Sequence, residues 1–164
     1  MRQSHRQAQA MVEFALLTPL FFLLLFGLVD FGRAIYFYNS IAHGAREAAR
    51  YAVAMDHGGD TDVAIRQQAR FDLFSIPVEA STSCSPDLCA IPSPPVCNQA
   101  YVQVSPTYDG RQALQAGASS PGVSTHYPLT ITVTFYFRPV TPIISQLVGN
   151  TLTLTVQSTM VTEY

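Results

Sequence analysis

Few side chains in this sequence have the types and spacing that chemistry needs. His5, His43, His57 and His126 are scattered, and none lies beside an obvious nucleophile. Cys84, Cys89 and Cys97 have four and seven residues between them. Zinc sites use tighter pairs together with His, and no His falls between residues 65 and 122. There is no Gly-rich phosphate loop, no G-x-S-x-G and no H-E-x-x-H. A triad built from distant residues leaves no mark in a sequence, but nothing here points to catalysis, a metal, a cofactor or a small-molecule substrate. The ionisable residue that does stand out is Glu13, at the edge of a long apolar run.

That run must be positioned by something. Residues 14–29 read FALLTPLFFLLLFGLV, sixteen positions without a charge, bounded by Glu13 and Asp30. A spanning helix needs roughly 20 apolar residues, so the run must take in Glu13 with Ala10, Met11 and Val12, or Asp30 with Phe31. Arg2 and Arg6 precede it, which puts the N-terminus in the cytoplasm and the rest of the chain across the membrane. A cleaved signal peptide would show a small-residue site after the run; here Asp30-Phe31-Gly32-Arg33 follows instead. Helix formers continue to Met55, with a stripe of Ile35, Tyr38, Ala42, Ala45, Ala49 and Ala52, before Asp56-His57-Gly58-Gly59-Asp60 ends the pattern. Such a helix is far longer than a bilayer, so its outer half must pack on something else. Ala45/Ala49 and Ala48/Ala52 are small-xxx-small pairs that suit a partner helix or the chain's own outer domain.

Composition agrees with an anchored protein. Of 164 residues, 48% are hydrophobic and only 12% charged, with a formal charge of −2. All nine basic residues are Arg, too few for the basic face of a nucleic-acid-binding module. A carboxylate inside hydrocarbon costs on the order of 2–4 kcal/mol, which makes Glu13 a functional candidate. Two readings fit it. It snorkels at the cytoplasmic interface, or, if the chain is cut between Ala8 and Gln9, the new amino terminus lies four residues away on the same helix face and neutralises it, within the chain or on a neighbour.

The order QAMVEFALLTPL (9–20), FGLVDFGR (26–33), Tyr38-Asn39 and AREAARYA (45–52), with the ending Met160-Val161-Thr162-Glu163-Tyr164, resembles the TadE-like family. Its members are minor pilins or pseudopilins of tight-adherence, Flp-type pilus systems. The resemblance implies a leader, residues 1–8, removed by a prepilin peptidase between Ala8 and Gln9. It also implies Glu13 and Phe14 as the assembly pair and Pro19 as the proline that kinks pilin helices. Family members usually carry Gly before the cut, where this chain has Ala8. The partners implied are the inner membrane, other pilin or pseudopilin subunits and the assembly machinery, with no nucleic acid. Asp30 and Arg33 read as an interfacial salt bridge, and Phe31, Tyr36, Phe37 and Tyr38 as an aromatic belt.

The expected order is a membrane helix over 9–33, its periplasmic continuation over 34–56, and a small periplasmic α+β domain over 57–164. A second helix over 62–74 is capped by Asp60, Thr61 or Asp62. Residues 81–98 form a Ser/Pro/Cys-rich loop. There Cys84, Cys89 and Cys97 are candidates for a disulfide in an oxidising compartment, with three pairings open. Strands over 127–137 and 151–161 alternate, the second with Leu152, Leu154, Val156 and Met160 inward, and 101–105 makes a third. The connection 138–150 holds a short helix or covers the sheet's end. The fold class expected is α+β: a long N-terminal helix, transmembrane in its first half, packed by its outer half on a small antiparallel sheet. Two other roles stay open on sequence: an uncleaved single-pass protein whose outer domain binds a machinery partner, and an enzyme on a signal anchor.

Overall fold

The computed structural model describes residues 2–54, 62–73, 76, 91, 93–117 and 126–161, with side chains apart from those of 2–8, 70–72, 108, 115–117, 143, 147 and 148. The predicted ends of the helical pattern at 56–60 and the positions of Cys84 and Cys89 lie outside them.

A single helix, α1 (Arg2–Ala54), runs for 53 residues, roughly 80 Å at 1.5 Å per residue. It is followed by α2 (Asp62–Asp72), β1 (Ala100–Ser105), α3 (Tyr108–Gly117), β2 (Pro128–Phe137), α4 (Pro142–Val148) and β3 (Leu152–Val161). The strands form one antiparallel sheet in the order β1-β2-β3. Val133 is the register point, opposite Val102 on β1 and Val156 on β3. Period-two alternation fixes that register, because a one-residue slip would turn Leu129, Ile131, Val133, Phe135 and Phe137 out of the core. All five are buried.

The core lies between this sheet face and the outer half of α1, closed on the side by α2. The helix contributes Ile41, Ala45, Ala48, Ala49 and Ala52, with Ala34 and Phe37 half-buried. Residues 34, 37, 41, 45, 48 and 52 follow the 3.6-residue period. The expected stripe is therefore displaced in its first turns. Ile35 and Tyr38 are exposed, and Ala34 and Phe37 take their place. Apolar residues stand on both sides of the helix here, and aromatic packing selects between them. Phe37 sits 4.9 Å from the Phe135 ring and 5.8 Å from Phe137, so it belongs to the core, while the other residues of the expected belt, Phe31, Tyr36 and Tyr38, are exposed.

The small-xxx-small alanines serve the chain's own domain: all four are buried within it. Their smallness lets α2 lie close, with Ile65, Ala69 and Leu73 facing them at helical spacing. At Gly44 the approach is closest. A Cβ there would meet Leu73 Cγ at 2.8 Å and the Ala69 carbonyl at 3.3 Å.

On β3, Leu154, Val156 and Met160 pack against the core as expected. Leu152 does not; it is 38% exposed, at the strand's end. The short helix expected in 138–150 is α4. Helix α3 lies in a stretch to which the sequence assigned no element. On the other sheet face, Tyr101 and Tyr136 meet edge to face at 5.8 Å, and the Tyr101 hydroxyl accepts from Val96 N–H, so the chain around 96 covers this end of the sheet.

Candidate functional site

The first half of α1 carries the residues singled out by the sequence, and its large apolar side chains stand clear of the described outer domain. Every large apolar side chain from Met11 to Val29 is exposed, Leu25 least at 38%. This is the one helix among the described residues long and apolar enough to cross a membrane. Gln9 and Glu13 share a face: Nε2 of Gln9 donates to Oε1 of Glu13 at 3.2 Å, as a spacing of four on a helix allows. Phe14 is exposed beside them. Residue 8 is helical. Helix α1 runs on through Pro19, which cannot donate to the Ala15 carbonyl. One residue before it the Thr18 hydroxyl donates to the Phe14 carbonyl at 2.7 Å. The arrangement presents a carboxylate, supplied with one neutral hydrogen bond, on an apolar rod. It offers an ionic contact to a cation.

At the other end of the apolar run, Asp30 does more than form the predicted salt bridge. It is 4% exposed. Its Oδ1 accepts from Arg33 Nη1 and from Val140 N–H, both at 3.1 Å, and its Oδ2 from Thr141 N–H at 2.9 Å. The Thr141 side chain makes no cap to α4, so the carboxylate of α1 receives the amides leading into that helix. Arg33 then lies 5.8 Å from the Phe37 ring centroid and 5.3 Å from that of Phe137, its cation over the faces that attract it. One turn earlier, a Cβ on Gly27 would touch Ile144 Cδ1 at 3.5 Å. Asp30, Arg33 and Gly27 thus fasten the β2–α4 connection to the end of the apolar run.

A second buried ion pair organises the outer domain. Asp62 opens α2, and Arg111 Nη1 reaches its Oδ1 at 2.6 Å, with both side chains at most 4% exposed. The same guanidinium group donates to the Pro106 carbonyl at 3.0 Å. The sequence placed Asp62 as a candidate cap and did not single out Arg111. Charge on a helix otherwise rich in Ala and Gln was the only signal it offered.

Cys97 is half-buried with a free thiol, beside Asn98, whose φ of 58° is of the left-handed kind that Asn tolerates. Cys84 and Cys89 lie outside the described residues. Among the described residues no three His, Cys, Asp or Glu side chains converge as metal ligands. His43 and His126 are exposed on separate parts of the fold.

Comparison with known proteins gives one finding. The family model for TadE-like proteins matches residues 8–50, which is the helix with Glu13, Pro19 and Asp30 on it. The chain carries a TadE-like N-terminal helix, and the match stops before α2. No curated protein and no solved structure matches the chain.

Proposed function

We propose that the protein is a membrane-anchored minor pilin or pseudopilin that contributes to assembly of a tight-adherence pilus, in a structural and non-catalytic role. The observation that carries this reading is the coincidence of the TadE-like match, residues 8–50, with a helix whose first half is bare and whose second half is consumed by its own domain. The TadE-like family belongs to such pilus systems. In this reading the bare half faces lipid before assembly and other subunits after it, where apolar area removed from solvent or lipid holds the helices together. A prepilin peptidase cuts between Ala8 and Gln9, and the new ammonium group neutralises Glu13, on its own chain or on a staggered neighbour. The N-terminus is cytoplasmic and the outer domain periplasmic, with residues 81–98 in a compartment that permits a disulfide.

Ala8, where the family has Gly, favours a second reading. The chain then stays uncleaved in the inner membrane, and its outer domain binds a component of the pilus machinery. The intact mass and N-terminal sequence of the protein from its native membrane fraction separate the two. A start at Gln9 supports the pilin reading, a start at Met1 the uncleaved component. A start beyond residue 33 overturns both.

A further inference from the structure

We infer that α4 and the loop leading into it form a membrane-seated collar, with Val140 and the α4 backbone at the headgroup–acyl boundary of the leaflet on the outer-domain side. This rests on membrane insertion of α1 and not on the pilus role.

The charge-free run of sixteen residues, 14–29, spans about 24 Å at 1.5 Å per residue, short of the roughly 30 Å hydrocarbon layer. The sequence left that deficit to be met by drawing a carboxylate into the membrane. The structure shows how Asp30 tolerates it. Its charge is met by Arg33, and its oxygens receive two backbone amides. Those amides belong to 140 and 141, so the same contact removes two unpaired donors from the loop, as apolar surroundings require.

The loop held there is itself apolar. Val140 is 74% exposed although its N–H is bound to Asp30, and Leu23 and Phe26, which share the Gly27–Asp30 face of α1 by helical spacing, are 39% and 50% exposed. Helix α4 reads PIISQLV, without a charge, and Ile144 lies against Gly27, three residues inside the run. Its level along α1 is thus about 4–5 Å on the membrane side of Asp30. An exposed apolar surface continuous with the lipid-facing surface of a span is covered by the same lipid. A short uncharged helix with its entry amides satisfied brings no charge into that interface that would have to be desolvated.

The chain has no Trp, so single Trp substitutions report depth directly. Full-length protein carrying Val140→Trp, Leu24→Trp or Gln157→Trp is reconstituted in phosphatidylcholine vesicles with brominated acyl chains. Leu24→Trp tests the span, and Gln157→Trp, exposed on β3, tests the aqueous domain. The expected result is that Leu24→Trp and Val140→Trp emit to the blue and are quenched by the bromines, Val140→Trp most by bromines near the headgroup, while only Gln157→Trp is quenched by aqueous iodide. Leu24→Trp quenched by bromine with Val140→Trp quenched by iodide would overturn the collar and leave the anchor standing. Val140→Trp shielded from both quenchers would overturn it in favour of a protein contact. Leu24→Trp unquenched by bromine would overturn insertion and the collar with it.

Discussion

Asp30 Oδ2 accepts the Thr141 N–H at 2.9 Å across 111 positions of sequence. This contact, with its twin to Val140, joins the apolar run of α1 to the connection between β2 and β3. Asp30→Ala leaves two amides without their acceptor, and an unmet buried donor costs about 1–3 kcal/mol. The variant is expected to lose stability of that order, and Asp30→Asn, which keeps an acceptor, to lose less. Thermal unfolding of the full chain in detergent, with proteolysis of the 138–150 segment followed alongside, checks it. Unchanged stability in Asp30→Ala would count against the carboxylate as the fastening.

The Asp62–Arg111 pair is buried at both ends, so removing one partner takes from the other its opposite charge at 2.6 Å. Arg111→Met is expected to cost on the order of 3–5 kcal/mol. The double change Asp62→Leu with Arg111→Met should recover most of it, because two apolar groups of similar volume replace two desolvated charges. A double-mutant cycle read by thermal unfolding measures the coupling. Additive losses would show that the pair does not act as a unit.

Gly44 lets α1 and α2 approach, and its absent Cβ would stand 2.8 Å from Leu73 Cγ. Ala is the better helix former by about 1 kcal/mol, yet forcing a methyl into a packed seam costs typically 1–3 kcal/mol. Gly44→Ala is therefore expected to destabilise or at best to break even. Adding Leu73→Ala should make Gly44→Ala favourable. A gain in stability from Gly44→Ala alone would mean that Leu73 moves aside freely.

Glu13 is exposed on the bare half of α1, where Gln9 donates to it. Under the proposed function, Glu13→Ala abolishes pilus assembly while membrane insertion stays normal or improves, since a charge costing on the order of 2–4 kcal/mol in hydrocarbon is removed. Electron microscopy of cells beside membrane fractionation reads both. Unaltered pili in that variant would remove Glu13 from the mechanism.

The features legible in the sequence are those with a local signature. The strands announced themselves by Thr alternating with Leu, Ile, Val and Phe, and α1 by its length and uninterrupted helix formers. Between residues 34 and 38 the helix is apolar on more than one side. Periodicity alone could not say that Phe37 faces the sheet while Ile35 and Tyr38 face out; the Phe135 and Phe137 rings decide it. Helix α3 escaped because it follows Ser105-Pro106-Thr107 in a stretch of turn residues, and Arg111 had no visible partner 49 positions away at Asp62. Asp30 was visible as a charge at the wrong place. Its purpose lies in two backbone amides, which every residue but proline has and which no sequence pattern marks.

Because α1 is continuous from Arg2 to Ala54, and the outer domain grips it both at Asp30 and at Ile41, the domain is keyed to the helix like a vane on a shaft. Each residue of helix turns the shaft by about 100°. Adding one residue between the two grips would put them out of phase, and the domain could hold one only by releasing the other. In the proposed membrane-anchored protein, the bearing of the domain around the membrane normal is thus set by the azimuth of the helix within the bilayer. A neighbour that docks on one side of the span meets the domain at a fixed heading.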